Sequence, residues 1–342
     1  MIYFRCDGNS VVGGGHVMRC LSIAKALRKE KQDCCFVLAD SEFKDKIESN
    51  GFKSIVLNTK FNDLESETNA LIQIIIKDGS ILVVDSYFVT EKYLEELKRA
   101  IKLVYIDDLV SFAYPVDILI NYNIYADENK YLKLYENKGQ SVPALLLGTK
   151  YAPLREEFIN LPKKVINDDV KNIFVSTGAS DSLHIALKLI TEIKEKGSQY
   201  RYYFVIGEKN NDIDEITRIA KTLTNVEINY KVANISELMR KCDVAISAAG
   251  STLYELCGIG IPTITYVLAD NQIDGITEFE KQDLTLNIGD LRTSNLNFAT
   301  IEKAINTLAN ASRRKELSSK TQSIVDGLGA SRIANHLISM FI

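Results

Sequence analysis

Three consecutive glycines and a histidine, Gly13-Gly14-Gly15-His16, stand between an apolar run over residues 2–5 and a helical pattern that begins at Val17. Glycine lets backbone N–H groups approach an anion closely, and a helix N-terminus adds a favourable dipole. Gly13, Gly14 and Gly15 are therefore candidate contacts to a phosphate-bearing substrate. His16 adds a titratable ring in the same turn. A helix N-terminus disfavours an imidazolium, so a neutral ring able to take a proton from water is expected there. The same residues would also suit a plain strand-to-helix turn with an incidental histidine. A dinucleotide fingerprint needs a third glycine where Met18 stands, which weakens a dehydrogenase reading, and no Walker lysine–serine pair follows.

Three further loops have the composition of ligand-binding turns. Ser247-Ala248-Ala249-Gly250-Ser251-Thr252-Leu253-Tyr254-Glu255 follows an apolar run and opens a helical pattern. Small residues and hydroxyls at such a position suit phosphate or ribose, although Thr252-x-x-Glu255 also reads as a capping box. Thr177-Gly178-Ala179-Ser180-Asp181 occupies a similar strand-to-helix position, with Ser180 or Asp181 as possible N-caps. Asp270-Asn271-Gln272 offers amides that could read a uracil edge or an acetamido group, or could simply form a solvated turn. Tyr87 lies past the carboxyl end of an apolar run, where α/β folds bind ligands. Asp107-Asp108 holds a comparable position and reads either as a metal-binding pair or as two caps.

The elements that must position these residues form two successive series. Short apolar runs at residues 2–5, 34–38, 54–57, 81–84, 103–106, 118–120 and 145–147 alternate with helical patterns. After a polar stretch the pattern restarts, with runs at 172–176, 202–206, 226–230, 244–247 and 263–266. Near-continuous apolar strands alternating with helices indicate parallel sheets covered on both faces. The expectation is an α/β chain of two Rossmann-like domains facing a cleft: an N-terminal domain over 1–160, a linker over 161–169, a second Rossmann-like domain over 170–325 and a closing helix over 326–342. Loops in both halves would then share one bridging ligand.

Composition narrows the class. The chain has 342 residues, 46% of them hydrophobic, enough for two cores. A formal charge of −4 without a basic block argues against nucleic-acid binding. Six cysteines without CxxC spacing read as reduced thiols, and three histidines give a zinc site little support. No apolar stretch is long enough to span a bilayer, and no signal peptide is evident. A cytoplasmic protein with no cofactor and no metal is expected, a monomer or weak oligomer acting on a small molecule.

In these residues the chain resembles the UDP-2,4-diacetamido-2,4,6-trideoxy-β-L-altropyranose hydrolase family of pseudaminic acid biosynthesis, whose relatives include spore-coat polysaccharide proteins. The resemblance runs in order through Arg5-Cys6-Asp7, the glycine–histidine segment to Cys20, Asp85-Ser86-Tyr87, Ile106-Asp107-Asp108, Leu119-Ile120-Asn121-Tyr122-Asn123, Gly148-Thr149-Lys150-Tyr151-Ala152-Pro153, Thr177-Gly178-Ala179-Ser180-Asp181, the 247–255 loop and Asp270-Asn271-Gln272. It fades from about Asp290. Cys6 stands where a small residue such as Ala or Ser often follows the opening arginine. The resemblance implies a GT-B architecture and hydrolysis rather than transfer. It implies that His16 activates water, that Tyr87 and Asn271 lie near the sugar, and that Glu255 holds the ribose hydroxyls. With it, Thr177, Gly178, Ala179, Ser180, Ala249, Gly250, Ser251 and Thr252 become the expected nucleotide contacts. The expected reaction removes UDP from the diacetamido sugar by water attack at C1 with inversion. The alternatives are a GT-B glycosyltransferase using a UDP-sugar donor, separated by whether UDP release needs an acceptor, and a binder without turnover.

Overall fold

The structure, a computed structural model, describes residues 1–76, 80–178, 180–294 and 296–341. Packing divides the chain into two compact units, Met1–Arg155 with Leu328–Ile342, and Glu156–Gly327.

The first unit is built on a seven-stranded sheet. Its strands are β1 (Ile2–Cys6), β2 (Cys34–Leu38), β3 (Lys53–Val56), β4 (Ile81–Asp85), β5 (Lys102–Ile106), β6 (Ile118–Asn121) and β7 (Ala144–Leu147), in the order β3-β2-β1-β4-β5-β6-β7. Neighbours pair in parallel throughout. Every residue of β1, β2 and β4 is buried, because helices cover both faces. One face packs Tyr3, Val37, Leu82 and Val84 against Leu71, Ile75, Leu94 and Leu97. Full burial of each such side chain contributes roughly 1.5–3 kcal/mol. The chain winds outward from β1 to β3, then returns to β4 on the other side of β1. The carboxyl ends of β1 and β4 therefore flank the switch point, where open α/β sheets bind ligands.

The second unit repeats the plan with β8 (Asn172–Ser176), β9 (Arg201–Ile206), β10 (Val226–Tyr230), β11 (Val244–Ala248), β12 (Thr263–Val267) and β13 (Leu286–Asp290), in the order β10-β9-β8-β11-β12-β13, again all parallel. Its switch point lies between β8 and β11. β13 has no counterpart among the apolar runs of the sequence. That strand is half-buried along its length, and Asn287, Gly289 and Asp290 interrupt its apolar run. The helix after β8, Ile185–Lys196, begins only past His184, which takes a left-handed conformation (φ 58°) and cannot extend the helix backwards. A helix over Thr68–Ile75 precedes β4.

The closing helix, Gly329–Ser339, packs on the Gly15–Lys29 helix of the first unit. Arg332 donates to the Lys150 carbonyl at 2.8 Å. No helix among the described residues is long and apolar enough to cross a membrane.

Candidate functional site

In the first unit, the glycine turn hangs from the end of β1. The Asn9 side chain accepts from the N–H groups of Val11 (2.9 Å) and Val12 (3.0 Å), and Asn9 bridges Gly13 through the backbone. Two of the glycines have local reasons. Gly13 is left-handed (φ 76°), and a Cβ on Gly14 would come within 2.8 Å of the Phe43 ring. Gly15 has open space where a Cβ would be, so steric need does not explain it. Gly14 caps the Gly15–Lys29 helix without a side-chain hydrogen bond, and no acidic residue stands in its first turn. The first N–H groups of a helix have no intrahelical acceptor, so this end retains its capacity for an anion.

His16 is 4% exposed, and neither ring nitrogen has a hydrogen-bond partner among the described residues. Its ring meets the Tyr87 ring edge-on, with centroids 4.5 Å apart. Its Nδ1 lies 3.9 Å from Asp85 Oδ1, too long for a hydrogen bond. The structure thus brings together the glycine turn, His16 and Tyr87 at the β1/β4 switch point.

Behind this histidine lies a polar network that the sequence reading did not assemble. Arg19, one turn along the helix from His16, grips Asp85 with two bonds, Nε to Oδ2 at 2.6 Å and Nη2 to Oδ1 at 2.5 Å. The same guanidinium donates to Asp108 at 2.9 and 3.2 Å and to the Tyr122 hydroxyl at 2.9 Å. Burial pushes the Asp85 carboxyl up, but Arg19 and His16 outweigh it and hold the group below the usual carboxylate range. Burial pushes the Tyr122 hydroxyl up to about 12, so it stays a protonated donor and acceptor. Asn123 donates to Asp108 at 2.8 Å. The two carboxylates of Asp107-Asp108 have separate tasks. Asp107 accepts from the N–H groups of Leu109 and Val110 and from the hydroxyls of Tyr114 and Tyr131, so it ties down a turn. Asp108 pairs with Arg19. Among the described residues no group of three or more His, Cys, Asp or Glu could hold a metal.

A second buried cluster lies at the same sheet edge. Arg5 donates to Glu67 through Nε and Nη2 and to Asp7 at 2.5 Å. Glu67 also accepts from the Thr59 hydroxyl at 2.8 Å.

In the second unit, β8 runs into Thr177, Gly178 (φ 86°), Ser180 and Asp181; Ala179 lies outside the described residues. Thr177 is 2% exposed and its hydroxyl has no hydrogen-bond partner among the described residues. Neither Ser180 nor Asp181 is the N-cap, a position that His184 holds; Asp181 reaches the helix start from outside and accepts from the N–H groups of Ile185 (2.9 Å) and Ala186 (2.8 Å). The adjacent strand β11 runs through Ala249 and Gly250 into helix Thr252–Ile259. Thr252 is the first helical residue, one place past the cap, and Ser251 at the cap makes no side-chain capping hydrogen bond. The Thr252–Glu255 capping box is therefore not formed in its expected register, which leaves Glu255 in the first turn. Asn271 sits exposed in the turn Asp270–Gln272 after β12. Gln272 accepts from the Leu268 N–H at 2.8 Å, and its amide nitrogen is 3.8 Å from where a Gly250 Cβ would stand. Arg292 ties Asp270 to Asp290. The loops carrying Thr177, Gly250 and Asn271 thus leave the carboxyl ends of three neighbouring strands.

Sequence signals for the missed residues were partial. Arg19 is three residues from His16, hence on the same helical face. Nothing local pointed to Asp85 or Asp108 as its partners.

Residues 172–336 match the glycosyltransferase family 28 C-terminal domain. An uncharacterized protein of Methanocaldococcus jannaschii is 29% identical over 78% of this chain; the match spans only 55% of that protein's length. The UDP-2,4-diacetamido-2,4,6-trideoxy-β-L-altropyranose hydrolase of Campylobacter jejuni is 24% identical, over 74% of this chain and 86% of its own. A spore coat polysaccharide biosynthesis protein of Bacillus subtilis is 23% identical, over 83% and 82%. The crystal structure of Acinetobacter baumannii MurG superposes with a TM-score of 0.69 at 11% identity, covering 99% of each chain. The chain thus has the GT-B fold of that structure, its residues 172–336 match the glycosyltransferase family 28 C-terminal domain, and its sequence is similar to the Campylobacter hydrolase and the Bacillus spore coat protein.

Proposed function

We propose that this protein is a UDP-sugar hydrolase of surface-polysaccharide or nonulosonic acid biosynthesis, with UDP-2,4-diacetamido-2,4,6-trideoxy-β-L-altropyranose as its substrate. One observation carries the reading most. A buried histidine with two unpartnered nitrogens at a helix N-terminus beside a sheet switch point is costly unless a ligand or water completes it. The similarity to the Campylobacter hydrolase supports the choice of sugar and reaction.

In this reading His16 is the general base. Water attacks C1 from the face opposite UDP, and its proton passes to a His16 ring nitrogen. The bond from C1 to the pyrophosphate oxygen breaks, and UDP leaves with the electron pair. The sugar inverts, as with inverting glycosidases. UDP is a good leaving group, so N–H donors and dipoles around the pyrophosphate suffice without a general acid. Thr177, Gly178, Ala179, Ser180, Ala249, Gly250, Ser251 and Thr252 would contact the diphosphate, Glu255 the ribose hydroxyls, and Gly13, Gly14, Gly15, Tyr87 and Asn271 the sugar. The unpartnered Thr177 hydroxyl supports the nucleotide assignment, since a phosphate oxygen would satisfy it.

The test is incubation with the UDP-diacetamido sugar without acceptor, followed by NMR of UDP and the released anomer. Prompt UDP release with inverted sugar is expected. His16→Asn should lower kcat by ~10²–10⁴-fold with UDP affinity unchanged by calorimetry; wild-type turnover in that variant refutes the base. The glycosyltransferase family 28 match favours a second reading, in which an acceptor hydroxyl replaces water. UDP release only on adding an acceptor would establish it.

A further inference from the structure

We propose that Arg19 is a positioning residue: it clamps the Asp85 carboxylate so that this carboxylate takes the Nδ1–H of His16 and leaves Nε2 as the proton acceptor. The inference rests on the reading of His16 as the base, and it concerns what aims that base.

The clamp is over-determined. Both Asp85 oxygens accept from Arg19, and Oδ2 also lies 3.5 Å from the Cys20 thiol. The other side of the guanidinium is held by Asp108 and Tyr122, at the ends of β5 and β6. One side chain on the Gly15–Lys29 helix thus joins the ends of three strands. Asp85 cannot turn away without breaking a two-pronged, fully buried pair, since Asp85 is 0% and Arg19 8% exposed.

His16, by contrast, is aimed but not yet held. Its Nδ1 faces Asp85 Oδ1 at 3.9 Å, and Tyr87 packs edge-on against the ring. A neutral imidazole protonated on Nε2 would turn the Nδ1 lone pair toward a buried carboxylate, two acceptors facing each other. The Nδ1–H tautomer removes that conflict, because the tautomer follows the partner of the other nitrogen. A small ring shift on substrate binding would close 3.9 Å to a hydrogen bond. Catalytic hydrogen bonds are often long in unliganded enzymes and tighten in the complex. Nε2 then accepts the proton of water, Nδ1–H stays hydrogen-bonded to Asp85, and Asp85 itself takes no proton.

The experiment is long-range ¹H–¹⁵N correlation of the ¹⁵N-labelled full chain without substrate, at a pH where the histidines are neutral. With three histidines in the chain, a His16→Gln sample assigns the signal. Wild type should show His16 protonated on Nδ1, and Arg19→Lys, which keeps the charge but loses the fork, should show a mixture of tautomers. In turnover, Arg19→Lys should lower kcat by roughly 10²-fold, the loss typical of a ~1 Å misplacement, with KM little changed. A wild-type His16 protonated on Nε2 overturns the proposal, whether or not any variant folds. Wild-type kcat in a folded Arg19→Lys overturns the role of Arg19. The tautomer spectrum needs no substrate, so it reads the clamp even if the protein hydrolyses nothing. Failure of the hydrolysis assay is thereby kept distinct from failure of the clamp.

Discussion

Replacing Arg5 by methionine should loosen the first unit far more than its one-residue scale suggests. Arg5 is 0% exposed and serves two carboxylates, Glu67 at 0% and Asp7 at 2%. Without it Glu67 keeps the Thr59 hydroxyl at 2.8 Å and the Tyr93 hydroxyl at 3.3 Å. Asp7 fares worse: its Oδ1 loses the Arg5 bond, and its Oδ2 already has no partner. Breaking a buried ion pair from one side typically costs about 3–5 kcal/mol. At 1.4 kcal/mol per tenfold, that is on the order of 10²–10³ in the opening equilibrium. Hydrogen exchange read by mass spectrometry resolves it by segment. Peptides covering β1 and β4 should lose that much protection in Arg5→Met, while β8 and β11 serve as the internal reference. The double variant Arg5→Met/Glu67→Met removes one stranded charge and should recover part of the loss, with a coupling of about 0.5–3 kcal/mol. A fall in β1 and β4 protection below roughly tenfold would refute the argument that this cluster is a stability element.

Three other outcomes are expected. Gly329→Ala would set a Cβ 2.2 Å from the Ala152 carbonyl oxygen and 2.5 Å from the Tyr151 carbonyl carbon. Backbone cannot yield as a side-chain tip does, so a loss of about 1–3 kcal/mol should appear as a lowered Tm by calorimetry. Thr177→Val removes a buried hydroxyl that has no protein partner, so urea unfolding should be unchanged or slightly later while UDP affinity falls roughly tenfold, the worth of one hydrogen bond; equal UDP affinity would remove Thr177 from the nucleotide site. Because the Asp85 carboxyl is held below its ordinary 3.8, its contribution to stability is complete above about pH 4 and is lost as pH falls through the lower folded value. The urea midpoint of wild type should therefore drop more steeply below pH 4 than that of Asp85→Asn.

Much of the architecture was legible because its causes are local. Parallel strands buried on both faces must be almost wholly apolar, so residues 2–5, 81–84 and 244–247 announced β1, β4 and β11. β13 lacks that signature because it is only half-buried and tolerates Asn287 and Asp290. The glycine turn was legible too, since a left-handed Gly13 is a demand of backbone geometry written in the residue type, whereas the Phe43 ring that crowds Gly14 comes from 29 positions away. His184 shows the limit of that legibility. A non-glycine residue at φ 58° is invisible to periodicity, and it moved the start of a helix.

What the chain order alone could not decide was which charges meet. Arg19 finds Asp85 across 66 positions and Asp108 across 89, and Arg5 finds Glu67 across 62. Sequence offered Asp107 and Asp108 as an indistinguishable pair; the fold made one a turn cap and the other an arginine partner. The reason is the strand order. Because β4 returns beside β1 in parallel register, with β5 and β6 following outward, the carboxyl ends of β4, β5 and β6 stand side by side within reach of Arg19. Turn and strand preferences are properties of a few adjacent residues. The partners of a buried charge are set by which strand ends the sheet brings together, and only the tertiary structure contains that.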